Sequence, residues 1–441
     1  MTYYIIVIGC QMNKADSERL AAYLESYGYR LARSPKVADI VAITTCGVRQ
    51  SAEDRVYGLV NQIKKDNRKA LLIITGCLSE RADVKRRLKD KIDIWLPIVE
   101  LPQLIGKIGA ISSKKSQLLA SQASCRDYLS IAPKYSSSLT AFVPIGNGCN
   151  NFCAYCVVPY ARGREVYRSA TEIISEVRRL IKNGYKEINL IAQNVNSYHS
   201  GRVGFPQLLK KVNALPGNFW IRFFSSHPKD MSPELIKVMA QSKKVCEHIH
   251  LAVQSGDDQI LKAMNRKYTA AHYKRLIKSF RKALDGRIGV PAAVSTDVIV
   301  GFPGETRQQF LQSAKLFKDL KFDMAYLAQY SPRFGTVAAK MKDNVSRSEK
   351  KRREEELNEI LKKTAGACNQ EYLNKTVEVL ITGQNKRGQL YGQTRTLKGV
   401  QILGASDKKL VGRFVLVTIK KAQAFGLAGV LYEKKFGQKT K

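Results

Sequence analysis

The stretch AFVPIGNGCNNFCAYCVVPY, residues 141–160, joins an apolar strand to a loop that carries three cysteines spaced C-x3-C-x2-C. Structural zinc sites usually have four thiolate or imidazole ligands, and the nearest downstream histidine is His199. Close thiolates on a loop rich in Gly and Asn instead fit an iron–sulfur cluster. Three protein ligands would leave one iron open to a substrate or cofactor. Zinc, closed by His199 through a long loop, is the alternative.

A second set of three cysteines lies near the N-terminus. Cys10, Cys46 and Cys77 each follow an apolar strand directly, in VIGC, ITTC and ITGC. The carboxyl ends of parallel strands share one edge of a sheet, where ligands bind, so we expect these thiols to meet. The alternative is three buried cysteines that act as small hydrophobic residues. The remaining cysteines fit no motif and are interpreted as inert: Cys125, Cys246 and Cys368.

Strands alternate with amphipathic helices on both sides of the cysteine loop, which predicts a multidomain α/β protein. Residues 1–110 contain three strand–helix repeats, typical of a doubly wound parallel sheet. Residues 139–345 contain six strand candidates, which predict a partial (β/α)6 barrel with its chemistry at the carboxyl ends of the strands. Residues 374–437 have short strands broken by Gly and Asn, as in a small antiparallel OB-like barrel. A linker, 111–138, and a charged helix, 346–373, join these domains.

The chain is strongly basic. It has 74 Lys and Arg against 37 Asp and Glu, a net charge of +37, which favours a polyanionic partner such as nucleic acid over a merely solvated surface. No apolar run is long enough to span a membrane, and the start lacks a secretory signal, so we expect a cytoplasmic protein without a membrane partner. In that reducing compartment, clustered cysteines indicate metal or redox chemistry rather than disulfides.

Basic and aromatic residues mix in the C-terminal domain, as they do on surfaces that bind RNA. For the two aromatic rings, a place in the core beneath a charged surface is the alternative. The candidates are Tyr391, Arg395, Lys398, Arg413, Lys420, Lys421 and Phe425.

Several motifs together resemble one family. GCQMNKADSE, TTCGVR, GCNNFCAYCVVPYARGREV, AQNVNSY, SSHP, VQSGDDQILKAMNRKY and TDVIVGFPGET are similar, in this order, to the motifs of the methylthiotransferases. These are radical S-adenosylmethionine (SAM) enzymes with a C-terminal TRAM domain that binds RNA. QNVNSY and VVPYARGREV most resemble the MiaB-type branch, which acts on tRNA, rather than the ribosomal-protein or threonylcarbamoyladenosine branches.

The resemblance implies two [4Fe-4S] clusters and SAM as cofactors. Cys149, Cys153 and Cys156 would hold the cluster whose open iron binds SAM, and one electron would release a 5′-deoxyadenosyl radical. That radical would take the hydrogen from carbon 2 of N6-isopentenyladenosine next to the anticodon. The second cluster would carry the inserted sulfur, and a second SAM would supply the methyl group. Its implied ligands are Cys10, Cys46 and Cys77.

Further residues are candidates for the cofactor pocket. The resemblance implies that Tyr155 places the adenine of SAM. Ser225 and His227 follow a barrel strand, where a core or capping role is an equal alternative. For the GFPGE turn the alternative is ordinary loop geometry. The predicted cofactor-binding residues are Tyr155, Asn194, Arg222, Gln254, Gly301, Gly304 and Glu305.

The implied partners are the anticodon stem-loop of tRNA and an electron donor such as flavodoxin or ferredoxin, with the enzyme acting as a monomer. Alternative hypotheses are methylthiolation of another tRNA adenosine, such as the threonylcarbamoyl type, or of a ribosomal protein. An iron–sulfur RNA-binding protein without catalytic activity is the hypothesis from another class.

Overall fold

The computed structural model describes residues 1–111 and 127–432. Most of the predicted linker, including Cys125, and residues 433–437 of the predicted last domain lie outside these ranges. Within the described ranges, no helix has the length and apolar character needed to cross a lipid bilayer.

The N-terminal domain is a five-stranded parallel sheet with strand order β2-β1-β3-β4-β5. Alternate residues of β3 enter two separate cores, Ile40 and Ala42 on one face and Val41 and Ile43 on the other. Both faces are therefore covered, as the continuous apolar strands predict. The short edge strands β2 and β5 were not predicted. The elements are β1 (Thr2–Val7), α1 (Gln11–Ser26), β2 (Arg30–Leu31), β3 (Ile40–Thr45), α2 (Gln50–Asp66), β4 (Leu71–Gly76), α3 (Ala82–Arg87), β5 (Ile94–Leu96) and α4 (Leu104–Ile111).

The middle domain is a partial barrel of six parallel strands around the largest apolar core. Two three-stranded sheets, β6-β9-β12 and β13-β14-β15, are joined by single bridges between Ile221 and Val245 and between Ser226 and Leu251. The elements are β6 (Thr140–Pro144), β7 (Gly146–Asn147), α5 (Val158–Arg162), β8 (Val166–Tyr167), α6 (Ala170–Lys182), β9 (Glu187–Ile191), β10 (His199–Ser200), β11 (Val203–Gly204), α7 (Phe205–Asn213), β12 (Trp220–Phe223), α8 (Pro233–Gln241), β13 (His248–His250), α9 (Asp258–Ala263), α10 (Ala270–Leu284), β14 (Ala293–Val300), α11 (Arg307–Leu320) and β15 (Met324–Gln329).

The C-terminal strands close into a five-stranded barrel, which confirms the predicted fold class. One feature differs from the prediction: β18 and β20 pair in parallel, because β19 crosses over before β20 returns beside β18. The remaining strand pairs of the barrel are antiparallel. The elements are α12 (Arg347–Gln370), β16 (Thr376–Gln384), β17 (Leu390–Thr394), β18 (Gly399–Leu403), β19 (Phe414–Gln423) and β20 (Gly426–Leu431). Short 3-10 helices occupy Ile98–Gln103, Tyr128–Ser130, Val195–Ser197, Pro228–Asp230, Ala338–Lys340 and Lys408–Leu410.

The turn between β17 and β18 packs against the partial barrel. Arg395 donates to both carboxylate oxygens of Glu247, at 2.7 and 3.0 Å, and Lys398 forms an ion pair with Asp323 at 2.5 Å. Both basic residues are only 8% exposed. The predicted RNA contact of these two residues is therefore wrong, because their charges are buried between two domains.

Arg222 belongs to the same interface. Its guanidinium donates to Glu187 Oε2 at 2.8 Å and to the carbonyls of Thr394 and Arg395 at 2.7 Å each. The residue is 2% exposed and lies within β12 rather than after its carboxyl end. Its contacts bind the C-terminal barrel, so the structure does not support the predicted contact with the cofactor.

Candidate active site

The loop that carries Cys149, Cys153 and Cys156 is tightly folded. Gly148 has φ +85°, and a Cβ atom added there would overlap the backbone of Arg164, so the loop requires glycine at this position. Phe152 also has a positive φ, of 47°, which is uncommon outside glycine. The backbone therefore adopts a strained conformation to present these three cysteines together.

Two side chains donate hydrogen bonds to the sulfurs of this loop. Asn151 Nδ2 lies 3.4 Å from Cys149 Sγ, and Arg266 Nη1 lies 3.5 Å from Cys153 Sγ. Arg266 is 7% exposed, and its Nη2 also donates to the carbonyl of Ala252. Burial raises the pKa of the Cys149 thiol. Donors to sulfur such as these tune the reduction potential of an iron–sulfur cluster.

Cys10, Cys46 and Cys77 follow β1, β3 and β4, at one edge of the N-terminal sheet, as predicted. A Cβ atom added at Gly9 would lie 2.7 Å from Cβ of Cys46, and one added at Gly47 would lie 3.2 Å from Cβ of Cys77. Cys10 and Cys46 each interact electrostatically with Cys77. Burial, with the neighbouring Cys77, raises the pKa of Cys46 to about 11. Binding iron here would therefore have to displace a thiol proton.

The two groups of cysteines face each other. Val157, the residue after Cys156, packs against Cys77, and its Cγ2 would lie 3.4 Å from a Cβ added at Gly47. Arg162, at the end of α5, interacts electrostatically with Cys77 and Cys10. Its Nη2 donates to Asp16 Oδ2 at 2.6 Å. The N-terminal sheet and the barrel therefore bring both groups to one interface.

The donor set fits iron–sulfur clusters better than single metal ions. Among residues 1–111 and 127–432, no three His, Cys, Asp or Glu side chains are arranged to hold one metal ion. Cysteines that each bind a different iron of a cluster are not expected to converge on one point. The glycine cradles at Gly9, Gly47 and Gly148 and the donors to sulfur at both groups, including Val48 N to Cys46 Sγ at 3.4 Å, agree with a cluster.

A cavity of about 180 Å³ lies beside the place where the two groups of cysteines meet. Tyr155, Cys156 and Val157 line one side, and the loop after Cys46 lines another. Gln254 also lines it, with φ +67° and backbone hydrogen bonds to Asp297 and Ile299 of β14. The predicted residues Tyr155 and Gln254 are thus brought together beside the cysteine loop. The lining also includes Arg49, Asp297, Ile299, Tyr326, Tyr330 and Arg333.

Arg333 holds the loop after Cys46 against the barrel. Its Nη1 donates to Gln50 Oε1 at 2.6 Å and its Nη2 donates to the carbonyl of Val48 at 3.0 Å. The residue is 4% exposed. This contact fixes one wall of the cavity.

Other predicted cofactor residues lie outside the cavity lining. Glu305 Oε2 accepts from Gly301 N at 2.6 Å and from Arg353 Nη1 at 2.7 Å, so this carboxylate stabilises the turn after β14. A Cβ atom at Gly301 would overlap Lys350 of α12, so the glycine allows that helix to approach closely. Gly304 has φ +83° and donates its N–H to Asn344. These residues shape the turn beside the cavity.

Two polar side chains after β9 and β12, Asn194 and His227, are buried and lie outside the cavity lining. Asn194 donates to Asp230 Oδ2 at 2.7 Å, while its Oδ1 is buried without a hydrogen-bond partner. His227 accepts from the backbone N–H of Lys229 at 3.1 Å. Ser225 is exposed with φ +66°, a strained conformation often found at functional sites. Of these, Asn194 Oδ1 is a free acceptor for a bound group.

The C-terminal barrel presents part of the predicted RNA surface. Tyr391 is 46% exposed and Phe425 is 55% exposed, so neither ring belongs to the barrel core. Arg413, Lys420 and Lys421 are exposed as well. Basic and aromatic side chains therefore share the surface of this domain.

Sequence reasoning missed the arginines of the site. Arg162, Arg266 and Arg333 are all at most 7% exposed. Arginine is seldom fully buried unless it is paired, and its partners come from distant parts of the chain. The position of the first two inside the motifs YARGREV and LKAMNRKY was the available signal.

Three family models match successive parts of the chain. The Radical SAM superfamily matches residues 143–317, Uncharacterized protein family UPF0004 matches 2–97, and the TRAM domain matches 370–432. Curated relatives match nearly the whole chain. A tRNA-2-methylthio-N(6)-dimethylallyladenosine synthase of Clostridium novyi (strain NT) is 40% identical, over 97% of this chain and 96% of that protein. One of Thermoanaerobacter sp. (strain X514) is 42% identical, over 98% and 93%.

Solved structures support the fold. The radical S-adenosylmethionine methyltransferase TsrM from Kitasatospora setae, with cobalamin and a [4Fe-4S] cluster bound, superposes with a TM-score of 0.54 and 12% identity over 77% of each chain. The cobalamin-dependent S-adenosylmethionine radical enzyme OxsB gives a TM-score of 0.52 and 11% identity over 82% of this chain and 56% of that chain. At these identities the likeness concerns the arrangement of domains and strands alone.

Proposed function

The chain belongs to the tRNA-2-methylthio-N(6)-dimethylallyladenosine synthase family of radical SAM methylthiotransferases, and we propose that it catalyses the reaction for which these relatives are named. In that reaction, sulfur and a methyl group are inserted at carbon 2 of N6-isopentenyladenosine next to the anticodon of a tRNA. The observation that carries the proposal is that the two groups of three cysteines meet where Val157, next to Cys156, packs against Cys77, beside a cavity lined by Cys156 and the loop after Cys46.

The [4Fe-4S] clusters and SAM supply chemistry that side chains lack, because an aromatic C–H has no acidic proton for a base to remove. We propose that Cys149, Cys153 and Cys156 hold the cluster that binds SAM. The second cluster would be held by Cys10, Cys46 and Cys77. Each group provides three thiolates, which leaves room for a further ligand at the metal.

The other residues of the site orient and shield the reactants. Arg266 and Arg162 offset the negative charge that thiolates bring into a buried site. Tyr155 and Ile299, which line the cavity, exclude water from it. Asn194 Oδ1 and Gln254 are the acceptors we assign to SAM. Gly301, Gly304 and Glu305 are proposed to act by holding the neighbouring turn in place.

The proposed macromolecular substrate is the anticodon stem-loop of tRNA, whose unpaired bases can be splayed into a cavity. Arg413, Lys420 and Lys421 would contact its phosphates, and Tyr391 and Phe425 would stack on bases. We also propose a flavodoxin or ferredoxin as electron donor, a monomeric enzyme, and the cytoplasm as its location because tRNA is found there.

Mass spectrometry of digested tRNA tests the function. A strain without the gene should lack 2-methylthio-N6-isopentenyladenosine and accumulate N6-isopentenyladenosine. The wild-type chain should restore the product, and a Cys149→Ala, Cys153→Ala, Cys156→Ala variant should not. Unchanged 2-methylthio nucleosides in the deletion strain would contradict the proposal. Restoration by the triple variant would instead favour an RNA-binding protein without catalytic activity.

Assays of the purified enzyme distinguish the alternative substrates. Under anaerobic conditions it should act on a stem-loop RNA with N6-isopentenyladenosine and not on one with N6-threonylcarbamoyladenosine or on ribosomal protein. Product from either of the last two would reassign the chain to another methylthiotransferase branch.

A further inference from the structure

A row of polar side chains lines the inside of the partial barrel. It consists of His248 and His250 on β13 and of Ser295 and Asp297 on β14. The strands are parallel and His250 pairs in register with Ser295, so alternation puts all four side chains on one face. Ser295 Oγ lies 2.9 Å from His248 Nε2 and 2.9 Å from His250 Nδ1, and His250 Nε2 lies 2.9 Å from Asp297 Oδ2. The row is continuously hydrogen bonded.

The row runs from the interior to the cavity. His248 is 6% exposed, and its Nδ1 is buried without a partner. At the other end, the Asp297 side chain is 38% exposed and lines the cavity beside Tyr155 and Cys156. Within the described part of the chain, it is the only carboxylate that lines this cavity. The row therefore presents one oriented hydrogen-bond acceptor to whatever binds there.

Asp297 lies beside Ile299 and Tyr326 in the lining of the cavity. Ile299, two residues further along the same face of β14, packs in the same apolar cluster as Tyr155. Asp297 pairs in register with Tyr326 of β15, whose ring is 45% exposed. Arg49, in the loop after Cys46, lies 5.8 Å from that ring. Asp297 and Tyr326 thus line the same cavity as Cys156 and the loop after Cys46.

This position suits the reacting base of the substrate, because both sulfur and radical chemistry must reach one carbon atom. An adenine with a single N6 substituent has one N–H on that nitrogen, from which a carboxylate can accept a hydrogen bond. Tyr326 offers an aromatic face for the same base. Resting on the proposed function, we propose that Asp297 accepts a hydrogen bond from the N6–H of the substrate adenine. His250, Ser295 and His248 are positioning residues that hold the carboxylate.

The ribose hydroxyls and amino group of SAM could also donate to Asp297. The test is therefore made on the reconstituted full chain with SAM and dithionite, by following two products. 5′-Deoxyadenosine formed without RNA reports on SAM, and methylthiolated stem-loop RNA reports on the substrate. For Asp297→Ala, which removes the acceptor, we expect wild-type iron content, an unchanged KM for SAM and 5′-deoxyadenosine formation within about twofold of wild type. We expect kcat/KM for the RNA to fall about 10- to 100-fold, as for loss of a hydrogen bond to a charged group.

A substrate change tests the same contact from the other side. An RNA with N6-methyl-N6-isopentenyladenosine has no N6–H. Wild type should discriminate against it about as strongly as Asp297→Ala loses activity on the normal RNA, and Asp297→Ala should barely discriminate, as coupled partners do in a double-mutant cycle. His250→Gln, which can still donate to the carboxylate, should lose less activity than His250→Ala. Asp319→Ala, on the outer helix α11, is the matched control.

Each outcome has one meaning. If Asp297→Ala raises the KM for SAM or abolishes 5′-deoxyadenosine, the carboxylate binds SAM and the inference is wrong. If Asp297→Ala matches wild type on the RNA, or still discriminates against the dialkylated base, the contact does not exist. If wild type itself makes 5′-deoxyadenosine but no methylthiolated RNA, the proposed function fails, and this result is distinct from the other two.

Discussion

Arg162 Nη2 lies 2.6 Å from Asp16 Oδ2, and both side chains are 2% exposed. Asp16 belongs to α1, which begins directly after Cys10, and Arg162 ends the helix that follows Cys156. Arg162 also donates to Asn13 at 2.9 Å and to Asn147 at 3.0 Å. One buried ion pair therefore couples the N-terminal sheet to the cysteine loop of the barrel.

Asp16→Asn should destabilise the protein by about 3–5 kcal/mol, because it leaves the Arg162 charge buried without its counter-ion. Urea denaturation of the reconstituted protein measures the change. Asp319→Asn breaks an exposed pair with Lys274 and should cost less than about 1 kcal/mol. Equal losses of stability in the two variants would show that the buried ion pair contributes no more than the exposed one.

Removing either group of cysteines should halve the iron content. Anaerobically reconstituted wild type should bind about eight iron atoms, and a variant with alanine at Cys149, Cys153 and Cys156 about four. The same change at Cys10, Cys46 and Cys77 should also leave about four. Cys368→Ala, outside both groups, should keep all of them. A full iron count in either triple variant would disprove the ligand assignment.

Arg266→Gln should make the cluster at Cys153 harder to reduce. Reduction adds negative charge, which the guanidinium 3.5 Å from Cys153 Sγ stabilises. We expect the midpoint potential to fall by about 60 mV or more, equivalent to about 1.4 kcal/mol for one electron. A redox titration followed by electron paramagnetic resonance measures it. Tyr268→Phe removes a partner of Arg266 but no donor to sulfur, and a shift of the same size there would contradict this role.

The exposed lysines of the C-terminal barrel should contribute to RNA affinity through salt-dependent ion pairs with phosphates. The slope of the logarithm of the RNA-binding constant against the logarithm of the salt concentration is negative. The double variant Lys420→Ala, Lys421→Ala should reduce its magnitude by about one for each phosphate that is no longer neutralised. Thermal stability should not change, since both side chains are exposed. Lys351→Ala, exposed on α12, is the control. An unchanged slope in the double variant would place the RNA elsewhere.

Stability should decrease below pH 6.5 because of His227. Burial, with Arg266 and Lys229 nearby, lowers the pKa of this histidine from 6.5 to about 2. The unfolded chain therefore binds a proton that the folded chain does not, so the stabilisation is complete above pH 6.5 and is lost as the pH falls. Between pH 6.5 and 5.5 the loss should be about 1 kcal/mol for this residue.

His227→Gln keeps an acceptor for the Lys229 N–H and should reduce this pH dependence by that amount. It should not abolish it, because burial also lowers the pKa of His248. Chemical denaturation at pH 7.5, 6.5 and 5.5 provides the comparison. An identical pH dependence in the variant and wild type would show that His227 is protonated in the folded state.

The positions of the six cysteines could be predicted because they depend on local rules. Cys10, Cys46 and Cys77 follow buried strands, and parallel strands end at one edge. Cys149, Cys153 and Cys156 follow from their spacing alone. Tyr155 was predicted from the family resemblance, and Gln254 from its position after a strand of the barrel.

The predictions that the structure contradicts concern charged side chains buried between domains. We predicted that Arg222 binds the cofactor and that Arg395 and Lys398 bind RNA. Instead, they pair with Glu187, Glu247 and Asp323, respectively. These partners are far away in sequence, and no local pattern indicates which acidic residue will neutralise a given arginine. Asp297 was not predicted either, because its hydrogen bond to His250 joins two neighbouring strands and no local pattern indicates it.

The turn between β17 and β18, from which Arg395 donates a hydrogen bond to Glu247, also constrains the engineering of this enzyme. A designer who grafted the C-terminal barrel onto another catalytic domain would also have to transfer Glu247, which pairs with Arg395. A truncated chain that stopped before α12 would remove the Arg395 cation and leave Glu247 its longer ion pair with Arg287, at 3.5 Å. The C-terminal barrel is thus a structural part of this chain rather than an interchangeable attachment.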